Sequence, residues 1–202
     1  KKRSGPMALL VLGLLEGARG TEEFLWGTAT SAYQIEGSRT ALGRQPSVWD
    51  AFDTPGVSEV IKAVTPTGTP RVFGGETAAL ADDDFSRYGD TADLSRSLGF
   101  GATRLSISWT RVATYDQEGK TSIPNERGLA HYQEVIRAYK KRDTKVLATM
   151  WHWDLPLALE ERAAREDNSS AWLCDWLPAE FYKYAALLVT TLEDVDYWIT
   201  LN

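Results

Sequence analysis

Four short runs of apolar and β-branched residues predict β-strands. They cover residues 24–28, 102–109, 145–152 and 197–202. In the second run the residue character alternates, so that Ala102, Arg104 and Ser106 share one face while Thr103 and Leu105 share the other. A period of two is typical of a strand that has one face buried against other elements.

Three stretches between these runs have apolar positions at helical spacing and cover residues 82–98, 125–142 and 178–192. The clearest carries Leu129, Tyr132 and Ile136 at offsets of three and four, which predicts a helix with one apolar face. Leu94 and Leu98 are predicted to form the apolar face of the first stretch. Strands that alternate with helices predict a parallel sheet joined by right-handed crossovers.

Length and composition bound the fold. The 202 residues are 43% hydrophobic and 25% charged, which are ordinary values for one globular domain. A complete (β/α)8 barrel needs about 250 residues, so this pattern belongs either to a smaller α/β fold or to an incomplete barrel. Residues 39–81, rich in Gly, Pro, Thr and Ser, are too long for an ordinary connection and are predicted to be a functional loop or an insertion.

Charge and metal-ligating residues exclude several classes of function. A net charge of −6, with no cluster of Lys and Arg among aromatic residues, argues against binding to nucleic acid. Cys174 is the single cysteine, which excludes an internal disulfide, and His131 and His152 are the only histidines. No metal site and no cofactor is therefore predicted. The eight tryptophans mildly favour a carbohydrate site, because indole rings form apolar platforms for sugars.

The first 20 residues are predicted to be a segment separate from the domain at residues 21–202. Three basic residues precede an apolar run over residues 7–15, and Ala18 and Gly20 follow it. This order is typical of a secretory signal, and an apolar tail without that role is the alternative, so the location stays open between secretion and the cytoplasm. The run is too short to span a membrane. Asn168-Ser169-Ser170 is an N-glycosylation acceptor sequence that matters only in a secreted chain.

Three polar residues lie where the predicted sheet would hold a binding site. Arg104 is on the polar strand face and needs a partner of opposite charge, because an isolated buried charge costs several kcal/mol. The partner is either a catalytic carboxylate or a carboxylate whose ion pair with Arg104 is only structural. His152 ends an apolar strand, at the sheet end where α/β barrels build their sites, and a core histidine is the alternative. Gln34, just past the first strand, offers both a donor and an acceptor. A solvent-exposed glutamine is the alternative there.

Four segments resemble, in the same order, the signature segments of glycoside hydrolase family 1, the β-glucosidase family. They read FLWGTATSAYQIEG at residues 24–37, RLSISW at 104–109, MWHWDLP at 150–156 and YWITLN at 197–202. The resemblance implies an α/β fold in which residues 21–202 form the first half of a (β/α)8 TIM barrel, with parallel strands and crossover helices. Asp84 and Ser86 depart from the family pattern, which has histidines there, but they fall on a structural helix.

The resemblance also implies roles for five residues. Gln34 and His152 bind sugar hydroxyls, Trp153 contacts the sugar ring, Asn202 binds the 2-hydroxyl, and Arg104 lies beside the nucleophile. Family members are retaining β-glycosidases, in which one glutamate is the acid/base and a second, about 5 Å away, is the nucleophile. The first is expected directly after Asn202 and the second on a later strand. No catalytic residue is therefore expected within these 202 residues.

Three hypotheses follow. The favoured one is part of a retaining β-glycosidase of β-glucosidase type, which hydrolyses terminal β-linked sugars in carbohydrate metabolism but is inactive as these 202 residues alone. A catalytically inactive family member that binds a sugar or a partner is the alternative, and an unrelated α/β domain is the third. The expected ligand is a small β-glycoside, while the sugar, the aglycone and the oligomeric state stay open.

Overall fold

The computed structural model describes residues 24–202, so the predicted signal at residues 1–20 lies outside the described range. Four parallel strands form a sheet in the order β1–β2–β5–β6, and β3 pairs with β4 in an antiparallel hairpin. The strands are β1 Gly27–Ala29, β2 Ala102–Ser106, β3 Ala113–Tyr115, β4 Ser122–Pro124, β5 Lys145–Trp151 and β6 Tyr197–Leu201. The parallel sheet confirms the predicted fold class.

Helices connect the strands of this sheet. They are α1 Ala32–Ile35, α2 Val48–Asp53, α3 Asp84–Ser97, α4 Trp109–Val112, α5 Glu126–Lys140, α6 Leu157–Glu166 and α7 Leu177–Thr191. The predicted helices correspond to α3, α5 and α7, whereas α6 and the hairpin were not predicted. The long segment 39–81 contains α2 and two 3₁₀ turns. No helix within residues 24–202 has the length and apolar character needed to cross a membrane.

The first strand begins three residues later than predicted. Phe24 and Trp26 are exposed and pack against each other edge to face, with ring centroids 4.9 Å apart. Pairing with β2 starts at Gly27, where a Cβ would lie 2.6 Å from the carbonyl oxygen of Ala102. The strand therefore starts where the chain has no side chain to keep the two backbones apart.

The core lies between one face of the sheet and the helices. Leu105, Val146 and Ala148 point from the strands into this layer and are buried. The helix side is formed by the predicted apolar face of α5 and by part of α7, whose buried members include Leu129, Tyr132, Ile136, Tyr139, Tyr184 and Leu188. The apolar face of the strands and the apolar faces of the helices thus pack into one core. This packing brings the carboxyl ends of the strands to the same edge of the sheet.

The predicted apolar face of α3 is wrong. Leu94 and Leu98 are 60% and 65% exposed, and Ala92 and Ser95 are the buried residues of this helix. The helix packs against α5 through its aromatic N-terminal half, where Tyr88 contacts His131 edge to face with ring centroids 5.6 Å apart. A contact made by a bulky ring at one end sets the rotation of the helix, so two leucines near its other end face outward.

The opposite face of the sheet, called here the inner face, is formed by the residues in register with Arg104. In register with Arg104 are Ala29 of β1 and Leu147 of β5, and by strand alternation the same face also includes Thr149 of β5 and Leu201 of β6. Leu201 is 50% exposed, and within residues 24–202 the edge strands β1 and β6 each pair on one side only. An open pair of edges and a partly apolar inner face are what half of a barrel presents.

Residues 24–202 produced as a separate piece are therefore expected to aggregate. Unpaired strand edges and exposed apolar side chains both favour association between copies. Size-exclusion chromatography with light scattering should show large species, and a dye that binds exposed apolar surface should fluoresce strongly. The full-length protein is the control. A monodisperse monomer that unfolds in one cooperative thermal transition would contradict this expectation.

Candidate functional site

Arg104 joins three strands at the carboxyl end of the sheet. Its Nε donates a hydrogen bond of 2.9 Å to Oγ1 of Thr149 on β5, and its Nη2 donates one of 2.5 Å to Oδ1 of Asn202 just after β6. The backbone amide of Asn202 donates to the carbonyl oxygen of Trp151 at 3.1 Å, which holds the residue beside β5. Within residues 24–202 the hydrogen-bond partners of Arg104 are thus a hydroxyl and an amide, and its predicted carboxylate partner stays a prediction.

The Arg104 contact fixes the direction of the Asn202 amide. A guanidinium group has only donors, so it must meet the carbonyl oxygen of the amide rather than its nitrogen. The amide NH₂ of Asn202 is then turned away from Arg104, and the residue itself is exposed. Asn202 therefore offers an oriented hydrogen-bond donor at the end of the sheet.

His152 follows the last residue of β5 and is half-buried. Burial, together with the positive charge of Arg104, holds the pKa of His152 below its ordinary range. The imidazole is thus neutral at pH 7 and carries one donor and one acceptor. Its Nδ1 is buried without a hydrogen-bond partner among the described residues, so this ring nitrogen faces the protein and not the solvent.

Trp153 combines an unusual backbone conformation with an exposed side chain. Its φ of 73° lies in the left-handed region, which a bulky residue rarely adopts, and its side chain is 53% exposed. The ring stacks on Trp151 with centroids 5.7 Å apart, and Trp151 in turn contacts Trp172 at 4.4 Å. A strained residue held by a ring stack is a common feature of binding sites.

The stacked tryptophans border an open cavity of about 490 Å³. Its walls are mainly apolar and include Trp49 and Phe52 of α2, Trp153 and Leu201. Gln34, His152 and Asn202 are not among its lining residues. This apolar cavity therefore does not contain the polar site residues, and Trp153 is the one predicted site residue that lines it.

Gln34 lies in α1, just past the carboxyl end of β1, and its side chain is exposed. Its Oε1 accepts a hydrogen bond of 2.6 Å from the hydroxyl of Ser31, so the Nε2 group is left as a donor. Among the described residues Gln34 makes no hydrogen bond to Arg104, His152 or Asn202. The structure thus brings Arg104 and Asn202 into contact, puts His152 close to Arg104, and leaves Gln34 at the same end of the sheet without direct contact.

A buried ion pair beneath the site was not predicted. Arg111 of α4 is fully buried and its Nη2 lies 3.0 Å from Oε2 of Glu36, two residues after Gln34. The hydroxyl of Tyr132 donates to Glu36 at 2.5 Å, and the amide of Ser108 donates to the same hydroxyl at 2.8 Å. The segment that carries Gln34 is thereby fastened to the end of β2. A lone arginine among Trp109, Val112 and Ala113 was the signal that could have revealed this pair.

Asp154 is the second unpredicted group. It is 2% exposed, and neither carboxylate oxygen has a hydrogen-bond partner among the described residues. Burial raises its pKa to about 7, against the opposing effect of the nearby Arg44. Arg44 itself pairs with Asp50 of α2 at 2.8 Å. This polar layer lies between α2 and the loop that carries His152 and Trp153, and so connects the cavity wall to the site.

Within residues 24–202 no group of three or more His, Cys, Asp or Glu side chains is arranged to hold a metal ion. The site that the described residues do form consists of donors, one neutral imidazole and exposed indole rings at the carboxyl ends of parallel strands. Such a set suits a small neutral molecule that carries several hydroxyl groups.

A parallel α/β sheet with polar residues at its carboxyl ends is typical of α/β proteins of the barrel type, a class in which binding sites lie at that end. A family model described as "Glycosyl hydrolase family 1" matches residues 18–202. The chain belongs to glycosyl hydrolase family 1. The resemblance found in the four signature segments is thereby confirmed.

Relatives of this chain are β-glucosidases from distant organisms. Beta-glucosidase 4 of Oryza sativa is 35% identical to this chain, and the match covers 89% of this chain and 33% of that protein. Beta-glucosidase A of Thermotoga maritima is 36% identical, and the match covers 90% of this chain and 35% of that protein. The crystal structure of a β-glucosidase from Humicola insolens in complex with glucose matches with a TM-score of 0.71 at 30% identity, over 89% of this chain and 33% of that one. The chain spans about a third of the length of these relatives.

The effect of the Arg104 charge on the pKa of His152 leads to a prediction. In the full-length protein, Arg104→Gln is expected to raise the pKa of His152, because the protonated imidazole no longer faces a positive charge. The value should stay below the ordinary histidine value of about 6.5, since burial is unchanged. NMR titration, with the resonance assigned by a His152→Gln variant, measures the shift.

His131 is the internal control for that titration. Its pKa is lowered to about 4 by burial, and the charges near it are Glu36 and Arg111, not Arg104. Arg104→Gln should therefore leave His131 unchanged. Equal shifts of both histidines would indicate a general change in structure and would contradict the proposed contact.

Proposed function

We propose that this chain forms the sugar-binding part of a retaining β-glycosidase of β-glucosidase type. The observation that carries the proposal is the contact between Arg104 and Asn202, which aims an amide donor outward at the carboxyl end of the sheet. The membership in glycosyl hydrolase family 1 and the glucose complex of the Humicola insolens relative support it. The substrate is then a terminal β-linked hexose.

Asn202 is proposed to donate to the oxygen of the sugar 2-hydroxyl. Positive charge develops at the neighbouring anomeric carbon in an oxocarbenium-like transition state, and hydrogen bonds to the 2-hydroxyl strengthen there. A donor fixed by Arg104 loses no orientational freedom when that state forms. Arg104 thus acts through Asn202, and its charge also favours an ionised carboxylate nearby.

His152, Trp153 and Gln34 are proposed to bind the rest of the sugar ring. A neutral imidazole and the Nε2 donor of Gln34 can form hydrogen bonds with hydroxyl groups, which suits a ligand without net charge. The exposed indole of Trp153 offers an apolar surface to the C–H face of the ring. Such contacts discriminate strongly between sugars that have a given hydroxyl group and sugars that lack it, because the missing hydroxyl leaves a buried polar group of the protein unpaired.

Hydrolysis also needs two carboxylates, which we assign to parts of the family barrel that residues 24–202 do not form. The acid/base glutamate is proposed to follow Asn202 directly, and the nucleophile to lie on a later strand. One protonates the leaving oxygen and then activates water, and the other forms the covalent glycosyl intermediate. Residues 24–202 alone are then expected not to hydrolyse glycosides.

The test uses the full-length protein with an aryl β-glucoside. Release of the phenol, together with an NMR spectrum in which the β-anomer of the sugar appears first, supports a retaining β-glycosidase. Release of the α-anomer first would contradict the retaining mechanism. Absence of hydrolysis with measurable glucose binding by calorimetry would instead support the inactive, sugar-binding alternative.

A further inference from the structure

Asn168 has a setting unlike the other two asparagines. Asn125 donates to the carbonyl oxygens of Leu42 and Arg111 at 2.9 and 2.7 Å, and Asn202 is held by Arg104. Asn168 instead lies just beyond the end of α6 and is exposed. It is also the only asparagine of the chain followed by the spacing Asn-x-Ser.

We propose that Asn168 is an N-glycosylation site. The acceptor motif, its exposure and its position at a surface turn all fit such a site, and the basic and apolar order of residues 1–20 is that of a secretory signal, the alternative that would bring the chain to the compartment of this modification. The proposal is independent of the glycosidase function.

The modification transfers an oligosaccharide from a polyprenyl diphosphate donor. A bond forms between the amide nitrogen of Asn168 and C1 of the first sugar, while the bond from that C1 to the diphosphate oxygen breaks. The amide nitrogen loses one proton, which ends on the diphosphate leaving group. No oxidant or reductant takes part.

The local structure tolerates a glycan at this position. The φ of Asn168 is 50°, a left-handed conformation that asparagine accepts more readily than most residues, and it ends α6. The chain turns there because the amides of Asp167 and Ser169 both donate to the carbonyl oxygen of Ala163, at 2.9 and 3.3 Å. These contacts involve only the backbone, so a sugar on the Asn168 side chain leaves them intact.

Ser170 places the modification near the candidate site. Its hydroxyl lies 3.2 Å from Oε2 of Glu160, and both residues line the apolar cavity bordered by Trp153 and Trp172. A glycan on Asn168 would be attached two residues before this lining residue. It would add a hydrophilic surface beside an otherwise apolar opening.

The test is peptide mapping of the full-length protein secreted from a eukaryotic host behind a host signal sequence. Trypsin releases residues 166–183 as one peptide. We expect that peptide to carry an N-glycan, and the amidase that removes N-glycans should convert Asn168 to aspartate. An unmodified peptide from the secreted protein would overturn the proposal.

Matched variants separate the acceptor role from the structural one. Asn168→Asp keeps a residue that accepts the left-handed conformation but removes the acceptor amide, so the glycan should be lost without loss of secretion. Ser170→Thr keeps the hydroxyl and should retain the glycan, whereas Ser170→Ala should lose it. If a variant is not secreted, translation in the presence of microsomes gives the same readout on the nascent chain. A glycan on this peptide in Ser170→Ala would also overturn the assignment.

Discussion

Arg111→Met is expected to destabilise the full-length protein by about 3–5 kcal/mol, the loss typical of breaking a buried ion pair on one side. Arg111 is fully buried, and its partner Glu36 would keep a charge with no cation beside it. Tyr132, which donates to the same carboxylate, cannot neutralise that charge. Urea denaturation of the wild-type and variant proteins measures the change in the free energy of unfolding.

The matched control for this variant is Arg137→Met on α5. Arg137 forms the same kind of ion pair with Glu134, but the two side chains are 46% and 54% exposed. Exposed pairs contribute about 1 kcal/mol or less, so this change should be small. Adding Glu36→Gln to Arg111→Met should recover part of the stability, because the uncompensated charge is removed. Equal losses in Arg111→Met and Arg137→Met would show that burial of the pair is unimportant.

Asn202→Ala is expected to lower the kcat/KM of the full-length protein for an aryl β-glucoside by about 10²–10³-fold, as when one oriented donor to a transition state is removed. The effect should fall mainly on kcat, because the contact strengthens only as the reaction proceeds. Steady-state kinetics with the glucoside and with its 2-deoxy analogue measure it. Wild-type protein should strongly prefer the glucoside, whereas the variant should treat the two substrates nearly alike.

Two further variants make this experiment specific. Asn168→Asp, produced in bacteria so that no glycan is present, changes an exposed residue that makes no hydrogen bond to Arg104, His152 or Asn202 within residues 24–202, and it should leave the kinetics unchanged. Asn202→Asp retains an acceptor for Arg104 but loses the NH₂ donor, so it should lose activity as Asn202→Ala does. If Asn202→Ala slowed both substrates by the same factor, the contact with the 2-hydroxyl would be refuted.

The structure also explains why the predicted apolar face of α3 is wrong and which partners Arg104 has within residues 24–202. Helical spacing identifies residues that share a face, but not which face meets a neighbour, and α3 is rotated by its contact with His131 on α5. Similarly, a polar strand face predicts that Arg104 needs a partner, but not which one. Thr149 and Asn202 become its partners only because β5 and β6 lie next to β2 in the sheet.

The sequence by itself determined the four strands of the parallel sheet, the helices α3, α5 and α7 and the family, because these depend on local periodicity and on motifs of neighbouring residues. It also located Gln34, His152, Trp153 and Asn202 at strand ends, although their roles in binding stay predictions. Only the tertiary structure decided which charges pair. Glu36 and Arg111 are 75 positions apart, and the cost of leaving either charge buried alone appears only once the fold has closed around both.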